Sequence, residues 1–245
     1  MNSSRLLPVE AAKRFITEKF PDCQAALLAG SVVRGEATAT SDLDVVVFDE
    51  KVDSAYRESL IEYGWPIEVF VHNFTSYKAF FKEDCEGAQP SLPRMVSEGF
   101  ILSDSGVLSL IKEEANELLK KGPEVWSIET IEMKRYMVTD ALDDLIGSTK
   151  RAEELFIANT LAYVIHEFVL RTNVQWIGSS KWIVRALNQF DKNFAQTFVQ
   201  AFDLFYKTGR KDGIIALTNE VLEPHGGRLF EGYSRGKSSE KGERI

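Results

Sequence analysis

Two short apolar runs, one ending in Gly-Ser and the next opening with a pair of acids, constrain the fold of this chain most strongly. The first run ends at Gly30-Ser31, and the second covers Leu43–Phe48. Both have the length and the apolar content of buried β-strands. Because side chains alternate faces along a strand, Asp42 and Asp44 are predicted to project to the same side, close enough to hold one divalent cation.

The residues after Gly30 suit a phosphate group. An apolar strand leads into Gly30-Ser31, and the next residues are predicted to form a helical turn that is bounded by Arg34. The first amides of such a turn have no partner within it, so they are free to point at an anion. The sequence therefore places a possible phosphate-binding turn at Gly30-Ser31 a few residues before a possible metal-binding strand at Asp42 and Asp44.

A third carboxylate is predicted on a neighbouring strand. Residues 66–72 read as a strand, and Glu68 is the one acid within it. If this strand lies beside Leu43–Phe48, Glu68 comes alongside Asp42 and Asp44. Carboxylates with that spacing are typical ligands of a hard divalent cation.

The periodicity predicts an α+β chain: a small mixed β-sheet flanked by helices, followed by an α-helical bundle. Before Gly122-Pro123 the pattern mixes strands with helices at 9–20, 53–63, 75–82 and 107–119, and after it every segment reads as helix. We therefore predict three regions: a mixed domain of strands and helices at 1–122, a helical domain at 123–233, and a flexible tail at 234–245.

Composition limits the partners. A net charge of −8 argues against broad gripping of nucleic acid, which needs many cations facing the phosphates. Cys23 and Cys85 fit no metal or disulfide framework and are expected to be reduced thiols. The N-terminus lacks the pattern of a signal peptide, and no window is apolar enough to span a bilayer. The chain is expected to be soluble and cytoplasmic.

Taken together, the motifs Gly30-Ser31, Arg34-Gly35 and Ser41-Asp42-x-Asp44, with Glu68 on a later strand, resemble a known family. The pattern is similar to the nucleotidyltransferases of the DNA polymerase beta type. Within them, the chain is most similar to the antibiotic (aminoglycoside-type) adenylyltransferases, in which a small catalytic domain precedes a helical domain that completes the substrate site.

The resemblance implies roles for these residues. Asp42 and Asp44, with Glu68, would bind Mg²⁺, with two ions expected, while ATP serves as co-substrate. The backbone after Gly30 and the Ser31 hydroxyl would cradle the β- and γ-phosphates. Three roles stay open. Glu68 is a metal ligand, the general base, both, or a buried ion-pair partner. Arg34 contacts the leaving pyrophosphate or pairs with an acid in its loop. Ser41 belongs to the nucleotide site or simply caps the turn before the strand.

The helical half gives weaker signals. Glu167 and Arg171 have the i, i+4 spacing of a surface ion pair, which is the default interpretation. Glu167 could instead act as the general base in place of Glu68, or bind an amino group of the substrate. Trp176 and Lys181 flank a Gly-Ser-Ser turn, and they could stack on a ring and contact a phosphate, respectively. A structural role for the tryptophan competes with this.

Three functions follow from the pattern. The first is an enzyme that moves AMP from ATP to a hydroxyl of a small polar acceptor, for which the acidic chain favours a cationic one such as an aminoglycoside. The second keeps the chemistry and modifies a protein or a tRNA. The third is a regulatory module that binds nucleotide without catalysis. The sequence leaves open whether a homodimer completes the site.

Overall fold

The computed structural model describes residues 5–236, and the chain divides into two compact units, Met1–Gly122 and Pro123–Ile245. The predicted tail at 234–245 falls outside the described residues from position 237 onward. In the described part, no helix has the length and apolar character that would let it cross a membrane. Both cysteines are free.

The first unit is a mixed sheet with helices on both faces. Its strands, in chain order, are β1 Ala25–Ala29, β2 Leu43–Phe48, β3 Tyr56–Glu62, β4 Trp65–His72 and β5 Phe100–Asp104, and they lie in the order β3-β4-β2-β1-β5. The helices described here are α1 Pro8–Lys19, α2 Gly30–Val33, α3 Ser76–Glu86, α4 Ser91–Glu98 and α5 Leu108–Lys121. Strand β2 runs parallel to β4 and antiparallel to β1. This confirms the predicted α+β class.

Strand β2 is central and covered on both faces, which explains its unbroken apolar sequence. Val45 and Val47 pack in the core on the side of α1, together with Phe15 of that helix. Val46 and Phe48 pack in the opposite core, beneath α3, α4 and α5. Asp44 is the exception in β2. It is half-buried, while the five other residues of the strand are buried.

The predicted helix at 53–63 is wrong, because this segment contains the edge strand β3. It pairs antiparallel with β4 through a tight turn in which Tyr63 and Gly64 both have positive φ, 53° and 79°. Two successive residues with positive φ are characteristic of hairpin turns whose twist matches that of the strands they join. The ladder of hydrogen bonds to β4 outweighs a weak helical pattern on a segment whose residues are mostly exposed.

Residues 92–100 divide between a helix and a strand. Helix α4 ends at Glu98, and after Gly99 the chain enters β5, which pairs with β1 at the other edge of the sheet. The connection between α3 and α4 is short, because α3 runs on to Glu86 and α4 begins at Ser91.

The second unit is helical throughout its regular elements. They are α6 Ile128–Gly147, α7 Arg151–Thr172, α8 Lys181–Phe190, α9 Lys192–Thr208, α10 Asp212–Leu222 and a 3₁₀ turn at Glu223–His225. Local signals fix several ends. Ser127 caps the start of α6, Asp191 caps α9, and Gly209 ends α9 in the left-handed conformation.

Candidate active site

Gly30 brings the chain directly against the acid of β2. Ala29, the last residue of β1, pairs with Asp44, and Gly30 follows with a φ of +77°. A Cβ atom added to Gly30 would lie 1.8 Å from Oδ2 of Asp44, far inside van der Waals contact. Glycine is therefore required here both by its conformation and by the closeness of the carboxylate.

Three acids converge at this point. Asp44 of β2 is in register with Glu68 of β4 in the parallel pair, and Asp42 lies just before β2. One carboxylate oxygen from each of Asp42, Asp44 and Glu68 lies within 4.8 Å of the others, and all three residues are half-buried. The structure thus brings together the three acids that the sequence singled out.

The cluster is electrostatically unfavourable as it stands. Burial, followed by repulsion from Asp42 and Glu68, raises the pKa of Asp44 from 3.8 to about 6, while Arg34 and Arg57 oppose the rise. A set of carboxylate oxygens with excess negative charge has the donor chemistry that a hard divalent cation requires. The residues present therefore fit such an ion.

Arg57 was not foreseen from the sequence. It projects from β3, and its guanidinium forms an ion pair and a hydrogen bond with Oε1 of Glu68. The guanidinium carbon also lies 5.0 Å from the ring centroid of Phe70. The sequence predicts a helix for its segment, which gives no indication that Arg57 reaches the triad. Gly64, flanked by two strand-length segments, was the signal that could have revealed the hairpin.

Ser31 and Ser41 join the Gly30 turn to the loop that precedes β2. Ser31 is buried, and its hydroxyl donates to Oγ of Ser41 at 3.2 Å. Oγ of Ser41 in turn accepts from the backbone N–H of Thr38 at 2.8 Å. Ser41 therefore stabilises the turn before β2 in this structure, and its role in the nucleotide site stays a prediction. The two serines hold the turn and the acidic loop together.

Arg34 lies at the end of α2, and its guanidinium forms ion pairs with two acids. Its Nε is 3.2 Å from Glu36, and its Nη1 is 3.3 Å from Glu98 of α4. Arg94 also approaches Glu98, at 3.8 Å. The ion-pair alternative for Arg34 is therefore realised in this structure, yet its charge still acts on Asp44.

Glu167 differs from the predicted pattern. Rather than pairing with Arg171 along α7, it accepts from Nζ of Lys134 on α6 at 2.6 Å, with both side chains largely buried. Arg171 donates instead to the carbonyl of Glu124 at 2.7 Å. A contact between neighbouring helices replaces the local one because both partners are drawn into the α6–α7 interface, which spacing along one helix cannot reveal.

Trp176 and Lys181 lie near one another in sequence but in different settings. Trp176 is half-buried in the segment between α7 and α8, and Lys181 is exposed at the first position of α8. Buried His166 of α7 lies with Nε2 3.0 Å from the carbonyl of Gly178, which ties this segment to the helix. Their roles in binding remain predictions.

The first unit thus combines a mixed sheet, a glycine turn packed against Asp44, and a triad of acids carried by β2, by β4 and by the residue just before β2. Residues 9–146, more than half of the chain, match the family model described as "Nucleotidyltransferase domain". The chain belongs to this family. Nucleotidyl transfer is thus its general activity, and a nucleoside triphosphate is its expected substrate.

Other comparisons add little. A crystal structure of a nucleotidyltransferase-like protein from Exiguobacterium sibiricum is similar over 88% of this chain and 74% of that chain, with a TM-score of 0.45 and 11% identity. No curated protein matches the chain.

Proposed function

We propose that the chain is a magnesium-dependent adenylyltransferase that moves AMP from ATP to a hydroxyl of a small polar acceptor, such as an aminoglycoside, and releases pyrophosphate. The observation that carries the proposal is the convergence of the Asp42, Asp44 and Glu68 carboxylates within 4.8 Å of one another. That convergence occurs in a family whose activity is nucleotidyl transfer.

In this proposal Asp42, Asp44 and Glu68 hold Mg²⁺, with two ions expected. The bound metal would neutralise charge on the triphosphate and favour in-line attack at the α-phosphorus. The backbone at Gly30 and the hydroxyl of Ser31 would contact the β- and γ-phosphates, since the glycine turn lies directly against Asp44.

The transfer itself forms a bond between the acceptor oxygen and the α-phosphorus and breaks the bond from the α-phosphorus to the bridging oxygen of the β-phosphate. The acceptor hydroxyl loses its proton, and Glu68 is the proposed general base because it borders the metal cluster and remains partly open to solvent. Arg34 would turn from Glu36 and Glu98 toward the leaving pyrophosphate, which carries more charge than either carboxylate.

Recognition of the acceptor is assigned to the helical region at 123–233. Glu167 would bind an amino group of the acceptor, while Trp176 and Lys181 would contact a ring and a phosphate. The net charge of −8 supports a cationic acceptor, because a negative field concentrates positive ligands.

The test is to incubate the protein with α-labelled ATP, Mg²⁺ and a panel of aminoglycosides and lincosamides, using Asp44→Asn as the inactive control. Label should appear on an antibiotic only with the wild-type chain. Absence of transfer to every antibiotic would remove this acceptor class but not the reaction. Label on a protein or a tRNA would favour the second function, and metal-dependent ATP binding without pyrophosphate release would favour a regulatory module.

A further inference from the structure

Arg57 reaches the acidic triad from the edge of the sheet. It pairs with Phe70 across β3 and β4, and Phe70 is two residues beyond Glu68, so all three side chains share one face of the sheet. The guanidinium, 5.0 Å from the Phe70 ring, lies along β4 and ends in the ion pair with Glu68. A cation is thus already seated on one of the three proposed metal ligands.

The position of this cation matters because the triad needs one. The three carboxylates repel each other at their observed separation, and Arg57 attracts each of them, most strongly Glu68. A divalent cation at the triad would require the same carboxylate and would be repelled by the guanidinium. Arg57 and the metal therefore compete for one site.

Exchange between the two cations is physically easy. The Arg57 side chain is 58% exposed, so its guanidinium is already largely hydrated, and an ion pair made by so exposed a cation contributes little to stability. The guanidinium can consequently leave Glu68 for solvent with a small loss, and its stem can remain over Phe70. A buried arginine would not be released in this way.

We propose that Arg57 is a resident counter-ion of the triad: it neutralises Glu68 before metal binds, is displaced by the metal, and thereby sets the metal affinity of the site. The inference rests on the proposed function, because it takes the triad as the metal site. Arg57 acts here as a positioning residue, since it works through Glu68 rather than on the substrate.

The test is calorimetric titration of Mn²⁺ into the nucleotide-free full chain and its variants. Arg57→Met removes the charge while keeping an apolar stem over Phe70, and Arg57→Lys keeps the charge. Arg14→Met is the matched control, because Arg14 is also exposed, pairs with Glu18 at 2.7 Å and lies 4.9 Å from the ring of Tyr63, away from the triad.

Arg57→Met should bind Mn²⁺ on the order of fivefold more tightly than wild type, as expected when an exposed pair no longer competes. Arg57→Lys should stay close to wild type, and Arg14→Met should be unchanged. In the presence of a chelator, Arg57→Met should also have a lower melting temperature than Arg14→Met, because the triad then has neither cation. Saturating Mn²⁺ should reduce that difference. Equal or weaker Mn²⁺ binding by Arg57→Met would overturn the inference.

Asp44→Asn separates this inference from its premise. If the wild type binds Mn²⁺, Asp44→Asn does not, and Arg57→Met binds like the wild type, the role of Arg57 is refuted while the metal site stands. If the wild type does not bind Mn²⁺, or Asp44→Asn binds it equally well, the metal site itself is refuted, and the role of Arg57 is refuted with it. Far-UV circular dichroism checks that each variant is folded.

Discussion

Gly30 and Asp44 are packed so closely that no side chain fits between them: a Cβ atom on the glycine would lie 1.8 Å from the carboxylate oxygen. The contact joins the end of β1 to the beginning of β2, and so joins the proposed phosphate turn to the proposed metal site. The glycine turn therefore cannot move without displacing the carboxylate of Asp44.

Gly30→Ala is therefore expected to displace Asp44 and to lower kcat/KM for nucleotidyl transfer by about a hundredfold, the usual effect of moving a catalytic group by roughly 1 Å. Gly35→Ala is the matched control, since Gly35 also has a positive φ, +71°, but open space where a Cβ would go. The control should lose about 1 kcal/mol of stability and keep its activity. Equal loss of activity in both variants would show that backbone strain alone matters.

Asp44→Asn should stabilise the metal-free protein at pH 7.5 by up to about 3 kcal/mol, measured by urea denaturation in chelator. The pKa of Asp44 is raised from 3.8 to about 6 in the folded state, so its charge opposes folding above pH 6. As the pH falls through 6 toward 3.8 this penalty disappears, and the two proteins should become equally stable. A variant less stable than the wild type at pH 7.5 would contradict the electrostatic account of the triad.

His72 should make the protein sensitive to acid. It is buried at the end of β4, and burial lowers its pKa from 6.5 to about 4. Below pH 6.5 the unfolded chain binds a proton that the folded chain does not, so stability should fall by up to about 3 kcal/mol between pH 6.5 and 4. An NMR titration of the His72 ring should show a midpoint near pH 4. A midpoint near pH 6.5 would show that burial does not lower the pKa of His72 and would refute the predicted acid sensitivity.

The pair between Lys134 and Glu167 offers a test in the helical unit. Lys134→Met should cost about 1–3 kcal/mol in urea denaturation, because it leaves a largely buried carboxylate without its partner. If Glu167 also binds the acceptor, Glu167→Gln should raise the KM for the acceptor about tenfold with little change in kcat. An unchanged KM would limit Glu167 to a structural role.

The sequence predicted those parts of the site that depend on local patterns. Strands β1, β2 and β4 are apolar runs, and Asp44 and Glu68 are conspicuous acids at defined positions within two of them. The apolar run of β2 required a central position with cover on both faces, which the structure has. In the parallel register that β2 and β4 adopt, the two acids lie side by side.

What the sequence did not predict depends on contacts between segments distant in sequence. Strand β3 is exposed and gains its conformation from pairing with β4, so its own residues carried a misleading helical pattern, and Arg57 was missed with it. Glu167 was expected to pair within α7, but its partner Lys134 comes from another helix. Spacing along one element cannot predict a partner that tertiary packing supplies.

The triad of Asp42, Asp44 and Glu68 is proposed to carry metal-dependent nucleotidyl transfer, and a pyrophosphate-release assay is the decisive experiment for that role. The wild-type chain should release pyrophosphate from ATP when Mg²⁺ and a metabolite extract supply metal and acceptor. Asp44→Asn should release none above background, and chelator should silence the wild type. Pyrophosphate release by Asp44→Asn at the wild-type rate would show that the triad does not carry the reaction.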